Sequence, residues 1–380
     1  MLSYWKKQIP LLKQIAKEEG TPLYVYQPDI ISVKLNELKQ AFKNLSFDIH
    51  YAMKANENIS LLTHIKSMGI GVDTVSPNEI KRALSVGFHP EQIIFTPSCP
   101  SFEELAFAFK NKVHTNIGAI EYFDFILKNY PQLSIGLRIN PANVIEGNQK
   151  VATAHQDSKF GIPITKLDVI LSYIQKGLKV DTLHIHTGSD VNSWKDLARS
   201  VDKIFDLAKY FNNLKYLNLG SGFKVKYQHS DLEVDLKSYA QYIEKKCLAF
   251  DKRIRLKFEP GKFLVSEAGV FIVKVNMVKQ GFEKKFVGVN SGFHHLIRPM
   301  YYGAFHDIIN ISNTDGPVEK YDIVGQLCEE DTFAYNRLVN QVRIGDYLMF
   351  LNAGAYGYSM IMSHYNLRPQ PKEFILKKGL

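Results

Sequence analysis

The 380-residue chain has only three cysteines, Cys99, Cys247 and Cys328, an odd number without metal-ligand spacing. No disulfide framework and no metal site are therefore expected, and a reducing cytoplasm is the expected compartment. No apolar run reaches the roughly 20 residues that span a bilayer. The opening Met1-Leu-Ser-Tyr-Trp-Lys-Lys-Gln lacks the basic-then-apolar order of a secretory signal. The lysines are dispersed rather than clustered, so a net charge of +9 is not read as a nucleic-acid footprint. It suits the attraction of anionic metabolites. Low-complexity tracts and an obvious linker are also missing. What remains, with 45% hydrophobic and 22% charged residues, is an ordinary globular composition long enough for about two or three domains.

What the sequence does have is a rhythm. Strand-like runs recur at Phe47–Lys54, Gly71–Val75, Ile93–Thr96, Val113–Ile117, Ile135–Ile139, Thr182–Thr187, Tyr216–Leu219 and Leu256–Glu259. Helical patterns lie between them. Ser76-Pro-Asn-Glu79 combines a capping serine, proline at the first helical position and glutamate at the capping-box position, and Gly87 closes that helix. Asn58 and Ser101 open two more, and the stripe Leu61, Leu62, Ile65, Met68 ends at Gly69. Uninterrupted strand–helix units argue for an α/β fold with a (β/α)8 TIM barrel rather than an open doubly wound sheet. After Gly261 the rhythm changes to strands joined by loops: Gly269–Lys279, Lys285–Asn290, Tyr321–Leu327, Asp346–Asn352 and Glu373–Lys377. The expected organisation is a barrel over 27–262 and a mainly β domain, barrel- or sandwich-like, over 1–26 and 263–380. Thr21–Tyr26 is strand-like and is assigned to that second domain.

In such barrels chemistry gathers at the C-terminal ends of the strands. Phe47, Ile49, Tyr51 and Met53 alternate with Asp48, His50 and Lys54, which predicts a strand with Lys54 at its polar end. A lysine whose pKa is lowered by desolvation is a nucleophile capable of a Schiff base. Asp73, Arg138 and Asn140 end other strands. His184-Ile-His186-Thr-Gly-Ser189-Asp190, Gly220-Ser221-Gly222 and Glu259-Pro-Gly261-Lys262 follow. The loops after the last two barrel strands commonly hold phosphate, and Gly220-Ser-Gly222 lets backbone N–H groups approach an anion, with Lys262 one strand away. Glu259 lies near Lys54 around a closed ring. It either pairs with that lysine or holds a proton on a heteroaromatic nitrogen. His184 and His186 have no evident third partner for a metal, and one of them stacking on a planar cofactor fits better. Lysine, phosphate cradle, carboxylate and stacking histidine together describe pyridoxal 5′-phosphate.

These blocks, with Arg298-Pro-Met-Tyr-Tyr302-Gly303, Cys328-Glu329 and Gly354-Ala-Tyr356, occur in an order that resembles the fold-type III pyridoxal-phosphate decarboxylases, closest to the diaminopimelate branch. The likeness runs from Thr21 to Glu373. It implies that Lys54 bonds to the cofactor and His186 stacks on its ring. Glu259 faces the ring nitrogen, and Asp73 orders the pocket near the lysine. Ser189, Gly220, Ser221, Gly222, Gly261, Lys262 and Tyr356 hold the cofactor. It implies a homodimer with shared active sites, in which a partner chain donates Cys328 and Glu329. Two positions depart from the family: Ser221 replaces a middle glycine, and Lys262 replaces an arginine, keeping charge but losing the bidentate fork.

The expected reaction is decarboxylation of meso-2,6-diaminopimelate to L-lysine and CO2. Cys328, Lys54 or a bound water is the proton donor. Arg298 offers bidentate carboxylate binding, Tyr302 a hydrogen bond, and Glu329 a charge for the distal ammonium; Lys262 and Tyr356 also fall on the substrate side. The alternatives are decarboxylation of another amino acid, of ornithine or arginine type or one made for a specialised metabolite, and a cofactor-holding protein without catalysis. Retention of Lys54, Glu259, Cys328 and Tyr356 argues against the latter.

Overall fold

The computed structural model describes residues 1–142, 155–228, 230–250 and 253–377. The chain divides into two compact units, one of residues 34–225 and 232–263, the other of 1–33, 226–231 and 264–380.

The first unit is built on eight parallel strands: β1 (Phe47–Ala52), β2 (Gly71–Thr74), β3 (Ile93–Phe95), β4 (His114–Ile117), β5 (Ser134–Asn140), β6 (Lys179–His184), β7 (Tyr216–Asn218) and β8 (Arg255–Phe258). Each pairs with its neighbours in chain order, and β8 pairs with β1 and closes the ring. A two-residue strand, Ile162–Pro163, lies along β5. The helix signals act as their chemistry dictates. Ser101 and Glu104 form a reciprocal capping box, and the Asn58 side chain accepts from the N–H groups of Ser60 and Leu61. The Ser76 cap accepts from Glu79 N–H, but the Glu79 carboxylate reaches one residue further back, to Val75 N–H at 2.7 Å. Gly87 closes the helix in the left-handed region at φ +91°.

One local expectation is corrected. The run Phe47–Lys54 is not strand throughout: β1 ends at Ala52, and Lys54 sits in a single 3-10 turn, Met53–Ala55. Ala52 N–H donates to Pro260 O, and this contact from the chain after β8 turns β1 out of its ladder. The alternation does not mark a solvent face either. From Ile49 onward every residue of β1 is buried, His50 included, because a closed parallel barrel buries both faces of its strands.

The N-terminal half of the barrel interior is polar. His50, Lys257 and Asn116 are buried there, and His114 is nearly so. Gly71 makes room for the His50 ring: a Cβ at that position would lie 2.6 Å from its Cδ2. Lys257 Nζ sits 3.9 Å from the centre of the Tyr216 ring. Burial holds the imidazoles of His50 and His114 down to about 4, with Lys257 adding to it in both. Their folded values lie below the 6.5 of a free histidine, so the unfolded chain takes up protons first as the pH falls. Stability is full above about pH 6.5 and declines towards about pH 4, by up to about 1.4 kcal/mol per pH unit for each histidine. Urea unfolding followed from about pH 7 to about pH 4.5 checks this, and a midpoint that holds constant over that range contradicts it.

The second unit carries an eight-stranded sheet. Its main path runs Ile308–Asn310, Tyr347–Phe350, Gly269–Gln280, Lys285–Val289, Val318–Val324, Thr332–Asn340. Leu23–Tyr26 pairs antiparallel with Gly269–Gln280 and parallel with Lys372–Ile375, which places the early strand in this unit. Thr332–Asn340 has no counterpart among the sequence-predicted strands. A bulge breaks its alternation: Asn336 adopts φ +49° and its N–H donates to Asp322 Oδ1 at 2.6 Å, while the register shifts between Tyr321 and Ile323.

Candidate active site

At the C-terminal end of the barrel the predicted residues converge. Lys54 Nζ lies 3.8 Å from Asp73 Oδ2 at the end of β2; the lysine side chain is 42% exposed and the aspartate buried. Burial, then the nearby Glu259 charge, pushes the Asp73 carboxyl well above its ordinary value, while Lys54 opposes the shift.

Glu259, just past β8, is held on both oxygens. His184 Nε2–H donates to Oε2 at 3.0 Å and the Asn218 amide donates to Oε1 at 2.6 Å. Burial works to raise this carboxyl, but the His184 charge and hydrogen bond, Lys54 and Asn218 outweigh it and hold Glu259 below the ordinary carboxylate range. Burial lowers His184, and it lowers His186 further, with the charge of Lys54 next. His184 is therefore the carboxylate's partner, and half-buried His186 is the histidine left beside the glycine turn. Arg138, buried on β5, lies over the Phe160 ring at 4.6 Å.

The glycine turn follows β7. Gly220 has φ +60° and Gly222 φ +103°; a Cβ on Gly220 would meet Ile185 O at 2.6 Å and His186 Nδ1 at 2.7 Å, and one on Gly222 would meet Gly188 O at 2.3 Å. Both positions require glycine. Asn218 Oδ1 accepts from Gly220 N–H at 3.0 Å, so one buried amide orients both the turn and Glu259. Ser221, expected as an added donor to an anion, directs its hydroxyl to the Glu259 carbonyl at 2.9 Å. Ser189 lies in the facing loop, between Gly188 at φ +131° and Asp190 at φ +65°. Lys262 is buried with Nζ 2.5 Å from Asp190 Oδ1, so the residue in place of the family arginine ties that loop to the end of β8. Gly261 comes close to β1: a Cβ there would lie 3.0 Å from that of Ala52.

The remaining predicted residues belong to the second unit. Arg298 opens the short helix Arg298–Tyr302, with Pro299 in its first turn and Gly303 left-handed at its end. Arg298 is 5% exposed, holds its guanidinium carbon 4.8 Å from the centre of the Tyr227 ring, and bonds to His306 Nε2 at 3.0 Å. Tyr302 is half-buried. Cys328 and Glu329 are exposed on a loop folded around Asp331, whose carboxylate accepts from Phe293 N–H at 2.7 Å and Leu327 N–H at 3.2 Å. The Tyr365 hydroxyl donates to Glu329. Tyr356 adopts φ +54°, a strained setting for a tyrosine, in a turn anchored by Gly354 N–H on Ser266 O at 3.0 Å. Sequence reasoning missed Asn218, His306, Asp331 and Asp190. Asn218 was detectable as a polar residue inside the otherwise apolar Leu217-Asn-Leu219, since a buried amide must find partners.

A lysine at a barrel mouth, a turn that only glycine can form, and a buried carboxylate kept ionised fit pyridoxal phosphate, and together they define a barrel-type pyridoxal-phosphate enzyme. The chain belongs to the pyridoxal-dependent decarboxylase family, whose pyridoxal-binding domain matches residues 29–266. It is similar to diaminopimelate decarboxylase of Methanothermobacter thermautotrophicus, 32% identical across 96% of this chain and 89% of that protein. It is likewise similar to that of Campylobacter jejuni, 33% identical across 97% and 93%. The solved structure of diaminopimelate decarboxylase from Helicobacter pylori, complexed with L-lysine, superposes with a TM-score of 0.89 at 30% identity, covering 96% of this chain and 94% of that one. Among the described residues no helix is long and apolar enough to cross a membrane, and no group of three His, Cys, Asp or Glu is arranged to hold a metal ion.

Proposed function

We infer that this chain decarboxylates meso-2,6-diaminopimelate to L-lysine and CO2, as a cytoplasmic enzyme of lysine synthesis. The observation that carries this reading is Arg298, a buried guanidinium whose hydrogen-bond partner among the described residues is a histidine ring nitrogen rather than a carboxylate. A buried cation without an anionic partner is costly, and a substrate carboxylate relieves that cost. Diaminopimelate has a distal carboxylate to offer; ornithine does not. The diaminopimelate decarboxylases similar to this chain along almost its whole length support the same choice.

Bound pyridoxal phosphate supplies a conjugated, electron-withdrawing system that takes up the electron pair of the breaking carbon–carbon bond. Lys54 would hold it through its amine, Glu259 would keep a proton on its ring nitrogen, and His186 would line its ring. The Gly222 N–H, with Ser189 and Tyr356, would hold the phosphate in a turn that Gly220 shapes and Asn218 orients, and Lys262 fixes the loop of Ser189 through Asp190. Asp73 orders the lysine. Arg298 and Tyr302 grip the distal carboxylate, and Glu329 takes the distal ammonium. Cys328, Lys54 or a bound water would protonate the carbon that loses CO2. The exposure of Cys328 and Glu329 suits their donation to the active site of a second copy, in a homodimer with shared sites.

The test is CO2 release with added pyridoxal phosphate from diaminopimelate, ornithine, arginine and lysine in parallel. Release from diaminopimelate alone is expected. Release only from one of the others keeps the chemistry and overturns the role of Arg298.

A further inference from the structure

His306 is 2% exposed and held at its carbonyl and at both ring nitrogens. Its carbonyl accepts from Arg337 Nη1 at 2.9 Å. Its Nδ1 is 2.8 Å from Leu351 O, and a carbonyl oxygen only accepts, so Nδ1 carries the hydrogen. In the neutral ring Nε2 is then an acceptor, and it faces Arg298 Nη1 at 3.0 Å. Burial first, then the Arg298 charge, holds this imidazole down to about 3, so it is neutral throughout the physiological range. Tyr227 completes the arrangement, with its ring beneath the Arg298 guanidinium and edge-on to His306 at 5.4 Å.

We propose that His306 is the positioning residue that sets substrate specificity, aiming Arg298 at the distal carboxylate through an uncharged acceptor. The inference deepens the diaminopimelate reading and rests on it. A guanidinium has five N–H donors in one plane. The Tyr227 ring covers one side of the guanidinium and the bond to His306 holds one of its nitrogens, so the directions open to the remaining N–H donors are restricted. The neutrality of the acceptor matters as much as its place. A carboxylate in the same position would orient Arg298 equally well but would cancel its charge and compete with the substrate. Imidazole of this tautomer orients the cation and leaves its charge for the ligand.

The test compares His306→Leu, which removes both ring nitrogens, with His306→Gln, whose amide offers one donor for Leu351 O and one acceptor for Arg298. Steady-state kinetics on diaminopimelate and equilibrium titration with pyridoxal phosphate are measured on each. For His306→Leu the KM is expected to rise about ten- to hundredfold, the range of one charge-assisted hydrogen bond, with kcat changed less than about threefold. Cofactor affinity is expected to stay within about twofold, and His306→Gln to recover most of the KM. The inference is overturned if KM is unchanged in His306→Leu. It is equally overturned if KM, kcat and cofactor affinity deteriorate together in both variants, which marks a merely structural residue. Wild-type protein that releases CO2 from another amino acid but not from diaminopimelate overturns the substrate reading, and this inference with it.

Discussion

Replacing Lys54 with alanine is expected to abolish covalent retention of pyridoxal phosphate and to lower CO2 release by at least about a thousandfold. The side chain stands in a 3-10 turn at the barrel mouth, partly exposed, and its charge acts on two buried acids. Lys54 lowers the Asp73 carboxyl and also helps keep Glu259 ionised, so its removal raises Asp73 further and leaves Glu259 dependent on His184 and Asn218. The fold does not hang on it: the 3.8 Å pair with Asp73 is long, and the lysine side chain is 42% exposed, a setting in which ion pairs contribute about 0–1 kcal/mol. Borohydride reduction followed by peptide mass analysis should find the cofactor's mass on the peptide holding Lys54 in the wild type and nowhere in the variant. A variant that keeps more than about a tenth of wild-type turnover would remove Lys54 from the chemistry.

Much of this site was legible because its signals are local. The caps at Asn58, Ser76 and Ser101 and the glycine turn at 220–222 are short patterns, and short patterns are read directly from sequence. What escaped depends on contacts between distant residues. The Asn218 amide meets a carboxylate 41 residues away, and the His306 ring meets a carbonyl 45 residues away. The end of β1 shows the limit most plainly. Met53 extends the apolar alternation, so the sequence reads as strand through Lys54, yet the chain turns at Ala52 because Pro260 O accepts its N–H. Tertiary contact overrides the local pattern there, and it is the override that brings Lys54 to the mouth of the barrel. Ser221 and Lys262 carry the same lesson for side chains. Both read as anion ligands by type and position, and both have partners within the barrel unit that sequence could not name, the Glu259 carbonyl and Asp190.

The second large effect is expected at Glu259, where glutamine and alanine should separate catalysis from folding. Glutamine keeps the oxygen that Asn218 donates to but turns an NH2 towards His184. The histidine can adapt by moving its proton to Nδ1, a buried atom with no hydrogen-bond partner among the described residues, so Glu259→Gln should destabilise by about 1–2 kcal/mol. Alanine leaves both donors unpaired in a buried site and should cost about 3–5 kcal/mol. Catalysis should fail in both. A unit charge about 4 Å from a cationic ring nitrogen is worth about 4 kcal/mol at an effective dielectric of about 20, so kcat should fall by about a thousandfold with the anion gone. The pH dependence has a definite sign. The folded value of Glu259 lies below the 4.5 of a free glutamate, so its contribution to stability is present above about pH 4.5 and is lost as the pH falls through the lowered value. Activity from about pH 5 to about pH 8 should therefore show no limb due to Glu259, and the stability deficit of Glu259→Gln should shrink below about pH 4.5. Urea midpoints of wild type and Glu259→Gln at about pH 7 and about pH 4, with kcat at neutral pH, decide the matter. A kcat within about threefold of wild type would mean that the ionised carboxylate has no part in holding the ring proton, and that its two hydrogen bonds serve the fold alone.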